Sequence, residues 1–161
     1  MNRAWLLALV LIGLSFALFS SAASSGDAFV GVVSVIDGDT LEMHGTRIRL
    51  FGIDAPESRQ ECLRLDKTKW RCGQEAALAL SNRVGRGVVQ CESKSRDRYG
   101  RTIATCFDNG GDLNRWMVLN GWAVAYRKYS TKYALDEDKA RKEARGIWAG
   151  QFEMPWDYRS R

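Results

Sequence analysis

The sequence predicts an α+β fold in which five β-strands close into a small barrel and about three helices pack outside it. The chain has 161 residues and is 45% hydrophobic, which gives room for a single core. Short β-branched segments bounded by turns predict the strands, and apolar residues at helical spacing predict the helices. We find no internal repeat and no second domain. An OB-type barrel is the natural candidate at this size.

Five segments have the composition of β-strands. The polar turn Asp37-Gly38-Asp39 ends the first of them. His44-Gly45 supplies a hairpin turn between the next two, so we interpret His44 as a turn residue rather than a catalytic one. The predicted strands are residues 30–36, 40–43, 47–51, 88–92 and 102–107.

Three segments predict helices. Residues 74–84 carry apolar residues that suit packing on a sheet. Asp112 is placed to cap a second helix, which we expect to stop at Gly121. Alternating charges over residues 134–145 predict an exposed third helix. The polar segment 58–73 contains two cysteines, and we expect it to be a loop held by a disulfide.

The first 23 residues differ from the rest of the chain. Arg3 gives a positive start, residues 5–19 are almost wholly apolar, and small residues follow at 20–24. This layout is typical of a secretory signal peptide, so we expect export to the periplasm or the extracellular space. The alternative is a retained membrane anchor that leaves the protein facing outside the cytoplasm. We expect a folded domain over residues 27–150 and a tail over residues 151–161.

Four cysteines behind such a segment predict two disulfides. Four cysteines allow three pairings. We favour Cys62–Cys72 and Cys91–Cys106 because each pair is local, and the second would join cross-strand partners that flank a long turn. Zinc is not expected, because no Cys-x-x-Cys spacing occurs and His44 is the only histidine.

The formal net charge of +5 favours a polyanionic partner, such as nucleic acid or an anionic membrane surface. A single histidine makes Ser-His-Asp and Cys-His mechanisms hard to build, and no glycine-rich phosphate loop is present. The remaining candidates for chemistry are carboxylates and arginines at strand ends and turns.

The strand ends carry the acidic candidates. Asp39 follows one strand, and Asp54 and Glu57 follow the strand that contains Arg49. If these strands are neighbours, Asp39 and Asp54 can converge, and two carboxylates with a backbone carbonyl and water suit Ca²⁺. The turn at residues 96–101 adds three arginines, whose planar donor groups match phosphate oxygens.

These segments resemble the signature blocks of the staphylococcal nuclease-like (thermonuclease) family. The blocks are residues 36–40 (Ile-Asp-Gly-Asp-Thr), 49–57 (Arg-Leu-Phe-Gly-Ile-Asp-Ala-Pro-Glu) and 97–101 (Asp-Arg-Tyr-Gly-Arg). Further matches follow at Leu113-Asn114, Gly121-Trp122-Ala123 and residues 144–148, so the resemblance covers about residues 29–150. It implies a five-stranded OB-fold barrel with three helices and Ca²⁺-dependent cleavage of DNA and RNA.

The resemblance also implies roles for individual residues. Asp39 and Asp54 would be the calcium carboxylates, with Ala55 adding a backbone carbonyl. Glu57 would position or deprotonate the attacking water. The remaining expected site residues are the phosphate-clamping Arg49 and Arg101, and the tyrosines Tyr99 and Tyr126 that border the nucleotide pocket.

Two features leave alternatives open. The cysteines, the content of residues 58–73 and the tail differ from the staphylococcal enzyme, so substrate access is not implied by the resemblance. An OB barrel can also bind single strands without cutting them. Asp39, Asp54 and Glu57 would repel phosphates in a pure binding module, which favours catalysis. We expect a monomer with no stable protein partner.

Overall fold

The computed structural model describes residues 28–161. The predicted signal segment therefore lies outside the described residues. Among the helices of the described part, none is long and apolar enough to cross a membrane.

The main sheet is mixed and has seven strands. Six of them follow the order β1-β8-β9-β4-β3-β2, and β10 pairs with β9. The pairing of β4 with β9 is parallel and the other pairings are antiparallel. These strands are β1 (Ala28–Val32), β2 (Ser34–Asp37), β3 (Thr40–Met43), β4 (Thr46–Leu50), β8 (Val88–Arg96), β9 (Thr102–Asp108) and β10 (Gly111–Asp112).

Four short strands lie outside this sheet and form two pairs. The strand β5 (Ile53–Asp54) pairs with β11 (Val124–Ala125). The strand β6 (Cys62–Leu63) pairs with β7 (Lys69–Trp70). The expected loop over residues 58–73 thus contains a small hairpin.

The main sheet curls into an OB-type barrel wall. The strands β1 and β2 lie at opposite ends of the strand order, yet Val33 alone separates them in the chain. The two edges of the sheet must therefore approach each other. This confirms the predicted α+β fold class. The single strand expected over residues 30–36 is in fact two strands, because the backbone changes its pairing partner from β8 to β3 at Val33.

The three expected helices are present, with shifted ends. The helix α1 (Cys72–Val84) packs on β2, and α2 (Leu113–Leu119) packs on β9 and on α3 (Ala134–Lys142). The side chain of Asp112 caps α2 by accepting the Arg115 N–H at 2.9 Å. The chain then forms a 3-10 helix (Gly146–Ala149) and a short α4 (Pro155–Tyr158).

The core lies between the curled sheet and the helices. Side chains from β3, β4 and β8 meet those of α1 and α2 there, including Leu41, Ile48, Leu50, Leu80, Val89 and Met117. The disulfide Cys91–Cys106 joins residues directly opposite each other on β8 and β9, with both cysteines fully buried. The predicted pairing of these cysteines is confirmed.

A second, smaller cluster surrounds the other disulfide. Cys62 and Cys72 are bonded, as predicted, with Cα atoms 5.6 Å apart. Both are buried against Val124 and Ile147. Aromatic and apolar residues of the hairpin and the tail cover this cluster, namely Trp70, Trp148, Phe152, Met154 and Trp156.

Candidate active site

The turn between β2 and β3 places Asp39 at the edge of the barrel. The Asp39 N–H donates to Asp37 Oδ1 at 3.0 Å, and the Asp39 side chain is almost fully buried. A Cβ on Gly38 would lie 2.7 Å from the Ala55 Cβ and 3.0 Å from the Ala76 Cβ. Because only glycine fits at this approach, the turn can pack directly against α1 and the segment that follows β5.

Arg49 brings the two aspartates together. It lies on β4, directly opposite Thr40 on β3. One guanidinium nitrogen contacts Asp39 Oδ1, and Nη2 donates to Asp54 Oδ1 at 2.6 Å. Ala55 contributes its backbone N–H, which donates to Asp39 Oδ2 at 2.7 Å. The structure therefore places four of the expected site residues within hydrogen-bonding contact of one another.

One buried polar side chain fixes the backbone just before the strand that carries Asp54. Asn114 is fully buried, and its amide donates to the Phe51 carbonyl at 2.9 Å and to the Ala104 carbonyl at 3.2 Å. Its side-chain oxygen accepts the Cys106 N–H at 3.1 Å. A buried amide with all these partners fixes the end of β4 relative to β9, and with it the start of β5.

Glu57 lies on the rim of the site. Its N–H donates to Gln60 Oε1 at 3.1 Å, and its carbonyl accepts the Gln60 N–H at 2.7 Å. A Cβ on Gly73 would lie 1.7 Å from the Glu57 carbonyl oxygen, so a glycine at the start of α1 is required for this packing. The Glu57 carboxylate itself is partly exposed and is linked to Asp54 through Arg159.

Sequence reasoning missed Arg159. Its Nη1 and Nη2 donate to Asp54 Oδ1 and Oδ2 at 2.9 Å and 2.8 Å, and Nη1 also donates to Glu57 Oε1 at 2.6 Å. The only available signal was an arginine in a tail that is rich in aromatic residues. Spacing along the chain carries no information about such a contact, because 105 residues separate Arg159 from Asp54.

Burial and neighbouring charges change the ionisation of the site. Burial raises the pKa of the Asp39 carboxyl to about 8, and the Asp37 and Asp54 carboxylates act in the same direction, whereas the Arg49 guanidinium opposes them. Hydrogen bonds to Asp54 and Glu57 raise the pKa of Arg159. The charged form of Asp39 is therefore costly in this site, and a cation beside it would offset that cost.

The donor set fits a hard divalent cation. Asp39 and Asp54 offer carboxylate oxygens, which Ca²⁺ and Mg²⁺ prefer as ligands. Within residues 28–161, no three His, Cys, Asp or Glu side chains gather in metal-binding geometry. Backbone carbonyls and water would therefore have to complete the coordination.

Arg101 and Tyr99 lie apart from this cluster, in the turn between β8 and β9. Arg101 Nε donates to Asp97 Oδ2 at 2.7 Å. Arg101 directly precedes Thr102, which is opposite Ile48 on the strand that bears Arg49. The Tyr99 ring is largely exposed, with the guanidinium of Arg98 over it at 4.8 Å. The expected second phosphate clamp is thus next to the site but paired with another carboxylate.

Tyr126 follows β11, and its ring is already in contact with other aromatic rings. Trp156 of α4 stacks on it with a centroid distance of 5.4 Å and an interplanar angle of 7°. The Tyr129 ring meets it edge-on at 4.8 Å. One face of the expected nucleotide-bordering tyrosine is therefore covered by the tail.

A curled OB-type sheet whose edge holds two buried aspartates, an arginine between them and a glutamate at the rim is the architecture of a nuclease-type hydrolase. The chain belongs to the staphylococcal nuclease homologue family, whose model matches residues 47–150. The match includes Arg49, Asp54, Glu57 and Arg101.

Three relatives illustrate this family. The chain is 41% identical over 140 residues to the succinoglycan biosynthesis protein ExoI of Rhizobium meliloti (strain 1021), covering 84% of this chain and 73% of that protein. It is 34% identical over 152 residues to an uncharacterized endonuclease of Escherichia coli O157:H7, covering 89% and 93%. It is 31% identical over 172 residues to a micrococcal nuclease of Shigella flexneri, covering 96% and 93%.

Proposed function

We propose that this protein is an exported, calcium-dependent nuclease that hydrolyses phosphodiester bonds in DNA and RNA. The observation that carries the proposal is the position of Arg49 between Asp39 and Asp54, with Glu57 at the rim of the same site. Family membership supports the reaction class. The formal net charge of +5 supports a polyanionic substrate.

Asp39 and Asp54 are the residues that would hold Ca²⁺, together with the backbone carbonyl of Ala55. When bound, the ion would neutralise charge on the phosphate oxygens and polarise them. This assignment agrees with the raised pKa of Asp39, because a cation relieves the cost of burying its carboxylate.

Arg49 and Arg101 would bind the scissile phosphate. Arg49 already lies beside the aspartates, and Arg101 would exchange Asp97 for a phosphate oxygen. Guanidinium groups that meet the phosphate stabilise the transition state more than the substrate, because charge on the equatorial oxygens grows as the reaction proceeds.

Glu57 would accept a proton from the attacking water. The water oxygen forms a bond to phosphorus while the bond from phosphorus to the 5′ oxygen breaks, and the leaving oxygen takes a proton from solvent. The products would be one fragment with a 3′-phosphate and one with a 5′-hydroxyl. A partly exposed carboxylate at the rim is accessible to such a water.

Export is supported by the two disulfides, since such bonds persist in oxidising compartments. N-terminal sequencing of the protein recovered from outside the cytoplasm would test this part. An intact Met1 in the membrane fraction would contradict cleavage of the segment.

The activity is tested by incubating the purified protein with plasmid DNA and with RNA, in Ca²⁺ and in EGTA. Cleavage of both substrates with Ca²⁺ and its loss in EGTA is the expected result. Asp54→Asn should abolish it, whereas Arg115→Ala should not, because Arg115 is an exposed arginine that pairs with Asp136 on another surface. Tight binding without cleavage would instead identify a non-catalytic nucleic-acid-binding module.

A further inference from the structure

The tail, residues 151–161, is folded against the active-site end of the domain. Gln151 exchanges two backbone hydrogen bonds with Leu63, at 2.8 Å and 2.9 Å. Phe152 and Met154 pack on the cluster around the Cys62–Cys72 disulfide. Pro155 at the start of α4 is buried. The tail is therefore anchored by apolar packing as well as by hydrogen bonds.

The tail also contacts the loop that carries Glu57. Gln60 is fully buried and links the two segments, because its Oε1 accepts the Glu57 N–H and its Nε2 donates to the Glu153 carbonyl at 2.7 Å. The Tyr158 hydroxyl donates to the Arg59 carbonyl at 3.3 Å. Movement of the tail would therefore disturb the loop that holds Glu57.

Arg159 completes this arrangement inside the site. Its guanidinium donates hydrogen bonds to both oxygens of Asp54 and to one oxygen of Glu57. Among the described residues, Arg159 is the one whose side chain hydrogen-bonds the Glu57 carboxylate. The Glu57 side chain is 36% exposed, so without Arg159 it would be free to exchange rotamers in solvent.

We propose that Arg159 is a positioning residue of this active site, which holds the Glu57 carboxylate beside Asp54. The inference rests on the proposed function, because the orientation of Glu57 matters only if Glu57 activates water. A planar fork with two nitrogens suits the task, since it can hold two carboxylates at a set spacing where a lysine ammonium gives a single point charge. Positioning a catalytic group in this way affects turnover more than substrate binding.

The same contacts are compatible with an opposite role for Arg159. A guanidinium on both Asp54 oxygens occupies atoms that a divalent cation would use, so the tail could act as a plug. The two roles predict opposite changes in turnover when Arg159 is removed. Removal of a positioning residue slows turnover, whereas removal of a plug accelerates it.

Steady-state kinetics on plasmid DNA with Ca²⁺ separate these roles. We expect Arg159→Ala to lower kcat by about tenfold or more, a part of the 10²–10⁴-fold that a general base contributes, with KM within about twofold of wild type. Arg159→Lys should retain part of the lost rate, and millimolar guanidinium should restore part of the rate of Arg159→Ala. Arg161→Ala is the matched control, because Arg161 is on the same tail and pairs with Glu153.

Wild-type rates from Arg159→Ala would overturn the proposal, and faster turnover would establish the plug instead. Equal losses from Arg159→Ala and Arg161→Ala would also overturn it, because they would indicate general damage to the tail.

A second measurement needs no activity. The melting temperatures of wild type, Arg159→Ala, Glu57→Ala and the double variant are compared in EGTA. We expect the shift caused by Arg159→Ala to be smaller when Glu57 is absent, since contacting residues are not additive. Additive shifts with an active wild type would overturn the positioning role alone. An inactive wild type with non-additive shifts would overturn the proposed function, and with it the catalytic role of Arg159. The contact between Arg159 and Glu57 would still be supported.

Discussion

Arg49 Nη2 donates a 2.6 Å hydrogen bond to Asp54 Oδ1, although the two residues lie on strands that do not pair with each other. The same guanidinium contacts Asp39. One arginine therefore sets the spacing of the two carboxylates, and it lies where it would reach a phosphate bound to a cation on those carboxylates.

Replacing Arg49 with alanine should lower kcat/KM for plasmid DNA by about 10³-fold or more, the range that arginines contribute in other phosphoryl transfers. Arg49→Lys should also be impaired, because lysine cannot contact Asp39 and Asp54 with a planar fork. Initial rates of plasmid cleavage measure both variants. A near-wild-type rate would remove Arg49 from phosphate binding.

Calcium should stabilise the folded protein, because a ligand that binds only the native state raises its free energy of unfolding. At a concentration 100 times the Kd, the gain should be about 2.7 kcal/mol. Thermal melts with and without Ca²⁺ measure it. The effect should vanish in Asp54→Asn and persist in Glu92→Gln, whose carboxylate is exposed on β8. An equal gain in Asp54→Asn would show that calcium binds elsewhere.

Asn114→Ala should destabilise the domain by at least about 2 kcal/mol, because buried backbone groups left without partners cost about 1–3 kcal/mol each. The groups affected are the carbonyls of Phe51 and Ala104 and the N–H of Cys106. Urea unfolding measures the loss. Asn120→Ala is the control, since Asn120 bonds a single carbonyl at the end of α2. Similar losses from the two variants would contradict the bridging role of Asn114.

Reduction of the disulfides should lower stability. The loop closed by Cys91–Cys106 spans 15 residues, and that closed by Cys62–Cys72 spans 10. Each is worth about 3 kcal/mol in the chain-entropy model. Denaturant unfolding of Cys62→Ala/Cys72→Ala tests one bond without opening the main core. A melt that excess dithiothreitol leaves unchanged would show that the disulfides do not contribute.

The local parts of the fold were predictable because their causes are local. Asp112 has a side chain suited to capping and does cap α2. Val33 shows the limit, since one β-branched run was expected to be one strand and is two. The alternation of apolar and polar residues along a strand indicates which side chains are exposed. It does not indicate which neighbouring strand supplies the backbone hydrogen bonds.

The features of the candidate site also divide into those with local causes and those that depend on tertiary packing. The sequence by itself determined the residue types, the acidic turn and the arginine strand, because β-strands with turn residues between them bring Asp39, Arg49 and Asp54 to one edge. Only the tertiary structure decided that Trp156 covers Tyr126 and that Arg159 enters the site. The physical reason is that these contacts depend on how the tail packs on the finished barrel, and packing between distant segments leaves no periodicity in the chain.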